Sequence, residues 1–199
     1  MLPENFILLG AALSFYGGLS YLIDTVKGKA KPNRVTWFLW ALAPLIAFAA
    51  QQEKGVGLAS LMTFMVGFNP LMIFLASFIN KKSYWKLQKL DYFYGALSLL
   101  GLVLWKITGE GNLAIIFAIL ADALAGIPTL VKAYRFPETE SGRIFLFGAI
   151  NSGITLLTLK TFNLAHLGFP LYIFLFCILM YSLVKWQWGV NRKFRKVSF

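Results

Sequence analysis

The sequence predicts an all-α integral membrane protein with seven transmembrane helices, and three observations lead to this prediction. Hydrophobic residues make up 58% of the chain and charged residues only 14%, whereas about 25% of the residues in a soluble domain are charged. The apolar residues fall into seven segments of helical length, and one apolar pattern occurs twice. We expect a multi-pass protein of a bacterial or archaeal plasma membrane.

The duplicated pattern indicates an internal repeat. Residues 67–75 read GFNPLMIFL and residues 168–175 read GFPLYIFL, which align after one deletion before the proline. Upstream of each copy, a Val-Lys pair precedes a proline by five residues, at 26–32 and at 131–137. Internal repeats determine architecture, so we expect two related units of about ninety residues each.

Seven apolar segments divide the chain. Each has about the length that a helix needs to cross about 30 Å of hydrocarbon, with the second and fourth on the short side. They cover residues 5–23, 35–50, 56–80, 92–105, 112–132, 144–160 and 163–186. The first segment does not resemble a cleavable signal peptide, because Glu4 rather than a basic residue precedes it.

The positive charge lies on one side of the predicted membrane. Of the 19 Lys and Arg, all but Lys54, Lys106 and Lys160 lie in the first, third and fifth connections or in the C-terminal tail. The positive-inside rule then places the N-terminus outside and the C-terminus in the cytoplasm. The net charge of +11 is therefore a signal of topology and of contact with the lipid bilayer, and we expect no nucleic-acid partner.

The repeat and the topology together predict the domain organisation. Residues 1–80 form a first three-helix bundle, 81–107 a linker helix, 108–190 a second three-helix bundle, and 191–199 a basic cytoplasmic tail. One linking helix lets both bundles enter the membrane from the same side. We therefore expect parallel repeats related by an axis along the membrane normal.

This plan resembles the SWEET and PQ-loop transporter superfamily. Residues 128–132 (PTLVK) and 137–141 (PETES) are similar to the Pro-Gln motif that ends the first helix of each bundle, whereas Ile23 and Asp24 stand at that place in the first copy. The resemblance implies a secondary transporter or facilitator that carries a small polar solute, sugar or amino-acid-like, by alternating access.

Asp122, Asn69 and Asn151 are the candidate central site. Asp122 lies near the middle of the fifth segment, where a carboxylate is costly unless it faces a cavity or a partner. We expect it to bind solute or couple transport to protons, and helix packing is the alternative. The two asparagines lie at similar depth, and Asn69 matches by resemblance the sugar-contacting Asn of SWEETs. Interhelical hydrogen bonding is their alternative role.

Tyr21 and Trp40 complete the predicted substrate-binding set. Tyr21 shares a face of the first helix with Ser14 and small glycines, which favours an inner wall. Trp37 and Trp40 lie on one turn at the predicted cytoplasmic boundary. An interfacial aromatic belt is the first interpretation of this pair, and a stacking platform for a ring is the second.

Four prolines are predicted hinges, because proline removes a helical hydrogen bond and kinks the axis. Pro70 and Pro170 occupy matching places in the two copies, and Pro44 and Pro128 interrupt the second and fifth segments. A role in shaping packing alone is the alternative.

The sequence carries no sign of an enzyme. It has no nucleotide-binding fingerprint, no cluster of Cys or His for a metal, and no catalytic-triad spacing. We expect no catalytic residue, no metal and no cofactor. The alternatives to a solute transporter are a vitamin or nucleoside carrier of the PnuC type, a receptor that resembles the KDEL receptor, and a scaffold without transport. Homo-oligomer formation stays open.

Overall fold

The structure, a computed structural model, describes residues 2–53, 55–83, 85–108 and 111–187. The predicted basic tail at 191–199 lies outside the described residues, as does Lys54. Within them the chain forms seven α-helices joined by short connections and 3-10 turns. The helices are α1 Phe6–Val26, α2 Arg34–Glu53, α3 Ser60–Ala76, α4 Lys89–Thr108, α5 Gly111–Arg135, α6 Gly142–Thr158 and α7 Leu164–Trp186.

Local side-chain chemistry explains several helix ends. Asn163 precedes α7, and its side chain accepts a hydrogen bond from the His166 amide at 3.0 Å, which satisfies one of the free donors at a helix start. Asn33 does the same for α2, where its Oδ1 accepts from the Val35 amide at 3.1 Å. Gly28 follows α1 with a φ of +77°, a conformation that glycine adopts without strain and that commonly ends helices.

Four helical stretches are long and apolar enough to span a membrane, namely Phe6–Val26, Gly57–Ala76, Ile115–Arg135 and Leu164–Trp186. Two shorter apolar stretches are Arg34–Ala49 and Gly142–Thr158. The chain is therefore an all-helical protein with the composition of a membrane protein. The segments predicted from sequence match these helices with shifted ends: α4 extends beyond 92–105, and the third helix ends at Ala76 instead of continuing to residue 80.

The two copies of the repeated pattern present the same residues to the same surroundings. Ile73 and Ile173 are buried, whereas Leu75 and Leu175 are each 58% exposed. Large apolar side chains that face outward on several helices are costly in water and normal against lipid. The repeat is thus visible in the burial pattern as well as in the sequence.

Helix packing follows a regular scheme. The first two helices, α1 and α2, both pack against α3, and α5 and α6 both pack against α7. Across these groups α1 packs against α6 and α2 against α5. The six helices therefore form a closed ring in the order α1, α3, α2, α5, α7, α6, and α4 lies outside it against α5 and α2. The contacts of α1 and α2 with α3 thus correspond to those of α5 and α6 with α7.

Hydrogen bonds between connections fix the relative direction of the helices. The Lys31 amide, after α1, donates to the Thr139 carbonyl, after α5, at 3.0 Å. At the opposite end the Leu2 amide donates to the Leu157 carbonyl at 3.0 Å. Helices α1 and α5 therefore run in the same direction, and their C-terminal ends lie at one end of the ring. We call this the basic end, because Lys31, Arg34 and Arg143 lie there.

Candidate functional site

A cavity of about 70 Å³ lies at the centre of the helix ring. All six ring helices contribute to its wall, whereas α4 contributes none of its lining residues. The lining residues are Ser14, Trp37, Trp40, Met65, Val66, Asn69, Pro70, Asp122, Ile144, Phe145, Gly148, Ile173, Phe176 and Cys177. None of them is Lys, Arg or His. Among the described lining residues, Asp122 is therefore the one acidic side chain, and there is no basic one.

One carboxyl oxygen of Asp122 accepts a hydrogen bond, and the other is unpaired among the described residues. Its side chain is on the inner face of α5 and the residue is only 2% exposed, so the carboxyl group does not face lipid. The Tyr172 hydroxyl, from α7, donates to Oδ2 at 2.8 Å. Oδ1 is buried and accepts no hydrogen bond from any residue that the structure describes. A buried oxygen of this kind is costly unless a ligand, water or proton satisfies it.

Trp40 and Trp37 lie inside the ring, so the interpretation as an interfacial belt is wrong. Trp40 is 6% and Trp37 1% exposed, because α2 turns this face toward α5 and away from lipid. The Trp40 indole N–H donates to the Asp122 backbone carbonyl at 3.1 Å. Nearby, the Thr36 hydroxyl donates to the Ala125 carbonyl at 2.8 Å. Both bonds attach α2 to the α5 turn that carries Asp122.

Asn69 lies in the cavity wall and also joins two helices. Its Nδ2 donates to the Ser14 carbonyl at 3.0 Å and lies 3.1 Å from the Ser14 hydroxyl. Its Oδ1 has no hydrogen-bond partner in the described part of the chain and lies beside Gly18, where a Cβ would come within 2.5 Å. The amide donor therefore joins α1 to α3, which is the interhelical hydrogen bonding given as the alternative role of this residue.

Asn151 does not line the cavity. It lies between α6 and α1, where a Cβ on Gly10 would come within 2.7 Å of its Oδ1. The residue is 1% exposed, and neither amide atom has a hydrogen-bond partner among the described residues. Asn151 is thus outside the lining that Asp122 and Asn69 share, because sequence depth alone does not specify which face of α6 turns inward.

Tyr21 belongs to a buried polar cluster at the basic end rather than to the cavity wall. Its hydroxyl donates to Glu140 Oε2 at 2.6 Å, and Lys132 Nζ lies 2.6 Å from Glu140 Oε1. Lys132 also donates to the Lys31 carbonyl. The Tyr21 ring packs on Trp37 with centroids 4.6 Å apart, so the cluster lies directly against the aromatic wall of the cavity.

This cluster joins the two helix groups. Tyr21 comes from α1, Lys132 from α5, and Glu140 from the connection between α5 and α6. The side chains of Lys132 and Glu140 are 1% and 0% exposed. Sequence analysis placed Lys132 among the cations of a connection, whereas the structure places it inside the last turns of α5 with a buried counter-ion.

The four predicted hinge prolines all lie inside helices. Pro44 is in α2, Pro70 in α3, Pro128 in α5 and Pro170 in α7. Pro70 also lines the cavity.

Several cavity residues were not among the sequence candidates. Phe145, Phe176 and Cys177, the one cysteine of the chain, were missed. Tyr172, which is not a lining residue but donates to Asp122, was missed as well. Tyr172 carried a usable signal, because it places a hydroxyl in a repeated segment whose other copy has Met72. The aromatic pair carried no such signal, since 17% of the chain is aromatic.

The described residues hold no group of three or more His, Cys, Asp or Glu side chains placed to bind a metal. The described residues therefore give the cavity one acidic group, the Ser14 hydroxyl, the Asn69 amide, the Cys177 thiol and aromatic rings. Comparison with known proteins found no matching family model, no similar curated protein and no similar solved structure.

Proposed function

We propose that this chain is a seven-span membrane transporter that moves a small polar solute by alternating access between two three-helix units. The units are α1–α3 and α5–α7, with α4 as the linker, and the basic end faces the cytoplasm. The single observation that carries the proposal is the position of Asp122. Its carboxyl group lies in a cavity at the junction of both units, and its Oδ1 is unpaired there. Helix packing does not explain this unpaired oxygen.

The helix arrangement supports two units that move against each other. Each unit buries its first and second helices on its third, and the units meet through α1 with α6 and α2 with α5. Parallel repeats of this kind place the substrate site at their interface. Rocking one unit against the other would open the cavity first to one side and then to the other.

The Tyr21–Lys132–Glu140 cluster supports a gate at the basic end. It ties α1 of one unit to α5 and its following connection in the other. A buried ion pair is costly to separate unless water enters. We propose that this cluster keeps the cytoplasmic side closed in the conformation described, and that hydration of the pair accompanies opening.

Coupling to protons is part of the proposal. A carboxyl group that alternates between a dry cavity and water exchanges a proton readily, and intramembrane acids serve as proton relays in many pumps and transporters. Asp122 would then bind a proton in one half of the cycle and solute in the other.

The aromatic wall favours a second candidate, a carrier of ring-bearing solutes such as vitamins or nucleosides. Trp37 and Trp40 both line the cavity, and indole faces stack on flat rings. The receptor alternative is less well supported, because the lining residues contribute no cation for a peptide carboxylate.

The test is uptake into proteoliposomes that contain the purified protein and an internal pH-sensitive dye. Radiolabelled glucose, alanine, nicotinamide riboside and trimethylammonium represent the candidate solute classes. We expect uptake of one class by the native protein, and loss of that uptake or of its proton movement in Asp122→Asn. Glu4→Gln is the matched control, since Glu4 is an exposed acid outside the ring. Absence of uptake for all classes, or uptake unchanged in Asp122→Asn, would refute the proposal.

A further inference from the structure

The polar groups at the cavity wall select the charge of a ligand. Asp122 Oδ1 is the unpaired acceptor of an acidic group, and none of the described lining residues is a cation. Asn69 uses its Nδ2 to bond Ser14, and its unpaired Oδ1 lies against Gly18 of α1. A ligand rich in hydroxyl groups would therefore leave most of them without partners, and an anion would meet only a like charge.

Aromatic rings from three helices surround the same space. Trp37 and Trp40 come from α2, Phe145 from α6 and Phe176 from α7. The Trp40 ring centroid lies 5.4 Å from that of Trp37 and 5.6 Å from that of Phe176, and both pairs are edge-to-face. These three rings therefore pack on one another, while all four line the same cavity. A cation within about 6 Å of a ring centroid is attracted to the face of that ring.

A glycine makes the proximity of the rings and the carboxyl group sterically feasible. Gly126 lies one turn after Asp122 on α5, and a Cβ there would come within 2.8 Å of Phe176 Cζ and 3.1 Å of Trp40 Cζ2. Any larger residue would displace one or both rings. The Trp40 N–H bond to the Asp122 carbonyl holds the indole beside the acid.

The cavity limits the size of the ligand. A volume of about 70 Å³ holds about five water molecules on the same measure. The ligand that this conformation encloses therefore has about five non-hydrogen atoms, which is smaller than a hexose.

We propose that the central cavity binds a small alkylammonium monocation, with its N–H group on Asp122 Oδ1 and its alkyl groups against the rings of Trp37, Trp40, Phe145 and Phe176. This assignment of a substrate class rests on the proposed transport function for its biological meaning, but the binding itself does not depend on transport. The carboxylate neutralises the ligand charge, and the rings replace the water that the alkyl groups lose.

The test is calorimetric titration of the purified protein in detergent micelles with trimethylammonium chloride. Its neutral counterpart is tert-butanol, which has a similar shape and no charge. We expect millimolar binding of trimethylammonium, as suits a ligand of about four non-hydrogen atoms, and binding of tert-butanol weaker by roughly tenfold or more. Tetramethylammonium, which lacks the N–H group, should bind more weakly than trimethylammonium.

Variants separate the carboxylate from the rings. Asp122→Asn should lower trimethylammonium affinity by roughly tenfold or more without lowering that of tert-butanol. Gly126→Ala should lower the trimethylammonium affinity, because it displaces the rings while the acid remains. Glu4→Gln should leave that affinity unchanged. If a variant does not fold, the comparison of the two ligands on the native protein still decides the matter.

Equal binding of trimethylammonium and tert-butanol, no binding of either, or an unchanged affinity in folded Asp122→Asn would overturn the inference. Uptake of glucose or alanine without trimethylammonium binding would overturn it as well and leave the transport function standing. Binding of trimethylammonium without uptake of any solute would support the site and refute the transport function.

Discussion

Replacing Glu140 by Gln tests the buried cluster at the basic end. Glu140 accepts hydrogen bonds from Tyr21 and Lys132, each at 2.6 Å, and the ion pair is shielded from water. Gln keeps the shape of the side chain and removes its charge. Lys132 then stays buried beside a neutral amide, with the Lys31 carbonyl as its remaining acceptor.

The burial sets the expected magnitude. Removing one partner of a buried ion pair typically costs about 3–5 kcal/mol, because the remaining charge has no counter-ion. We therefore expect Glu140→Gln to lower the free energy of unfolding by about 3 kcal/mol. Replacing both partners, as in Lys132→Met with Glu140→Gln, removes the stranded charge. The double variant should be more stable than the sum of the two single changes implies, by about 2 kcal/mol.

The assay is unfolding in mixed micelles with a rising fraction of sodium dodecyl sulfate, followed by circular dichroism. Tyr21→Phe provides a graded comparison, since it removes one hydrogen bond to a charged group and should cost about 1.5–3 kcal/mol. A loss below about 1 kcal/mol for Glu140→Gln would place the pair in the range of solvent-screened surface pairs. That result, or strictly additive effects in the double variant, would refute the reasoning.

Two further predictions concern close packing and the orientation of the acid. Gly17→Ala should lower the free energy of unfolding by about 1–3 kcal/mol, because its Cβ would come within 3.2 Å of backbone atoms of α6. In the same unfolding assay Gly142→Ala should be tolerated, because the nearest neighbour of its Cβ would lie at 3.4 Å. Tyr172→Phe removes the donor to Asp122 Oδ2 and should weaken trimethylammonium binding by about tenfold in calorimetry, whereas Tyr181→Phe should leave that affinity unchanged. Equal stability losses for the two alanine variants, or equal affinities for the two phenylalanine variants, would contradict these expectations.

The cost of charge in a membrane made part of the site predictable. Asp122 lies mid-way along an apolar segment, so it had to face inward, and the structure places it 2% exposed in the ring. The repeated pattern likewise predicted two related units, and the structure buries Ile73 and Ile173 at matching places in the two copies. The cost of a mid-membrane charge applies to a single position, and the repeat concerns one copied segment. Neither prediction requires knowledge of the neighbouring helices.

Helix rotation decides which side chains meet inside the ring, and the sequence does not specify that rotation. Asn151 lies at a similar depth to Asp122 but turns toward α1, and Trp37 turns inward although its sequence position resembles an interfacial belt. Lys132 and Glu140 form an ion pair that no pattern predicted, because charge counting treats each cation as solvent-exposed. Such contacts arise only when several helices meet, so a single sequence does not specify them.

Modification of Cys177 tests alternating access most directly. It is the one cysteine of the chain, lines the central cavity and is 9% exposed. The account predicts that a charged, membrane-impermeant methanethiosulfonate reacts with Cys177 in proteoliposomes, that Cys177→Ala abolishes the reaction, and that Glu140→Gln accelerates it from the basic end. The contradicting result is that Cys177 does not react in the folded protein, whichever side of the membrane receives the reagent, in either the native protein or Glu140→Gln. Reaction only after unfolding would show that the cavity does not open to water.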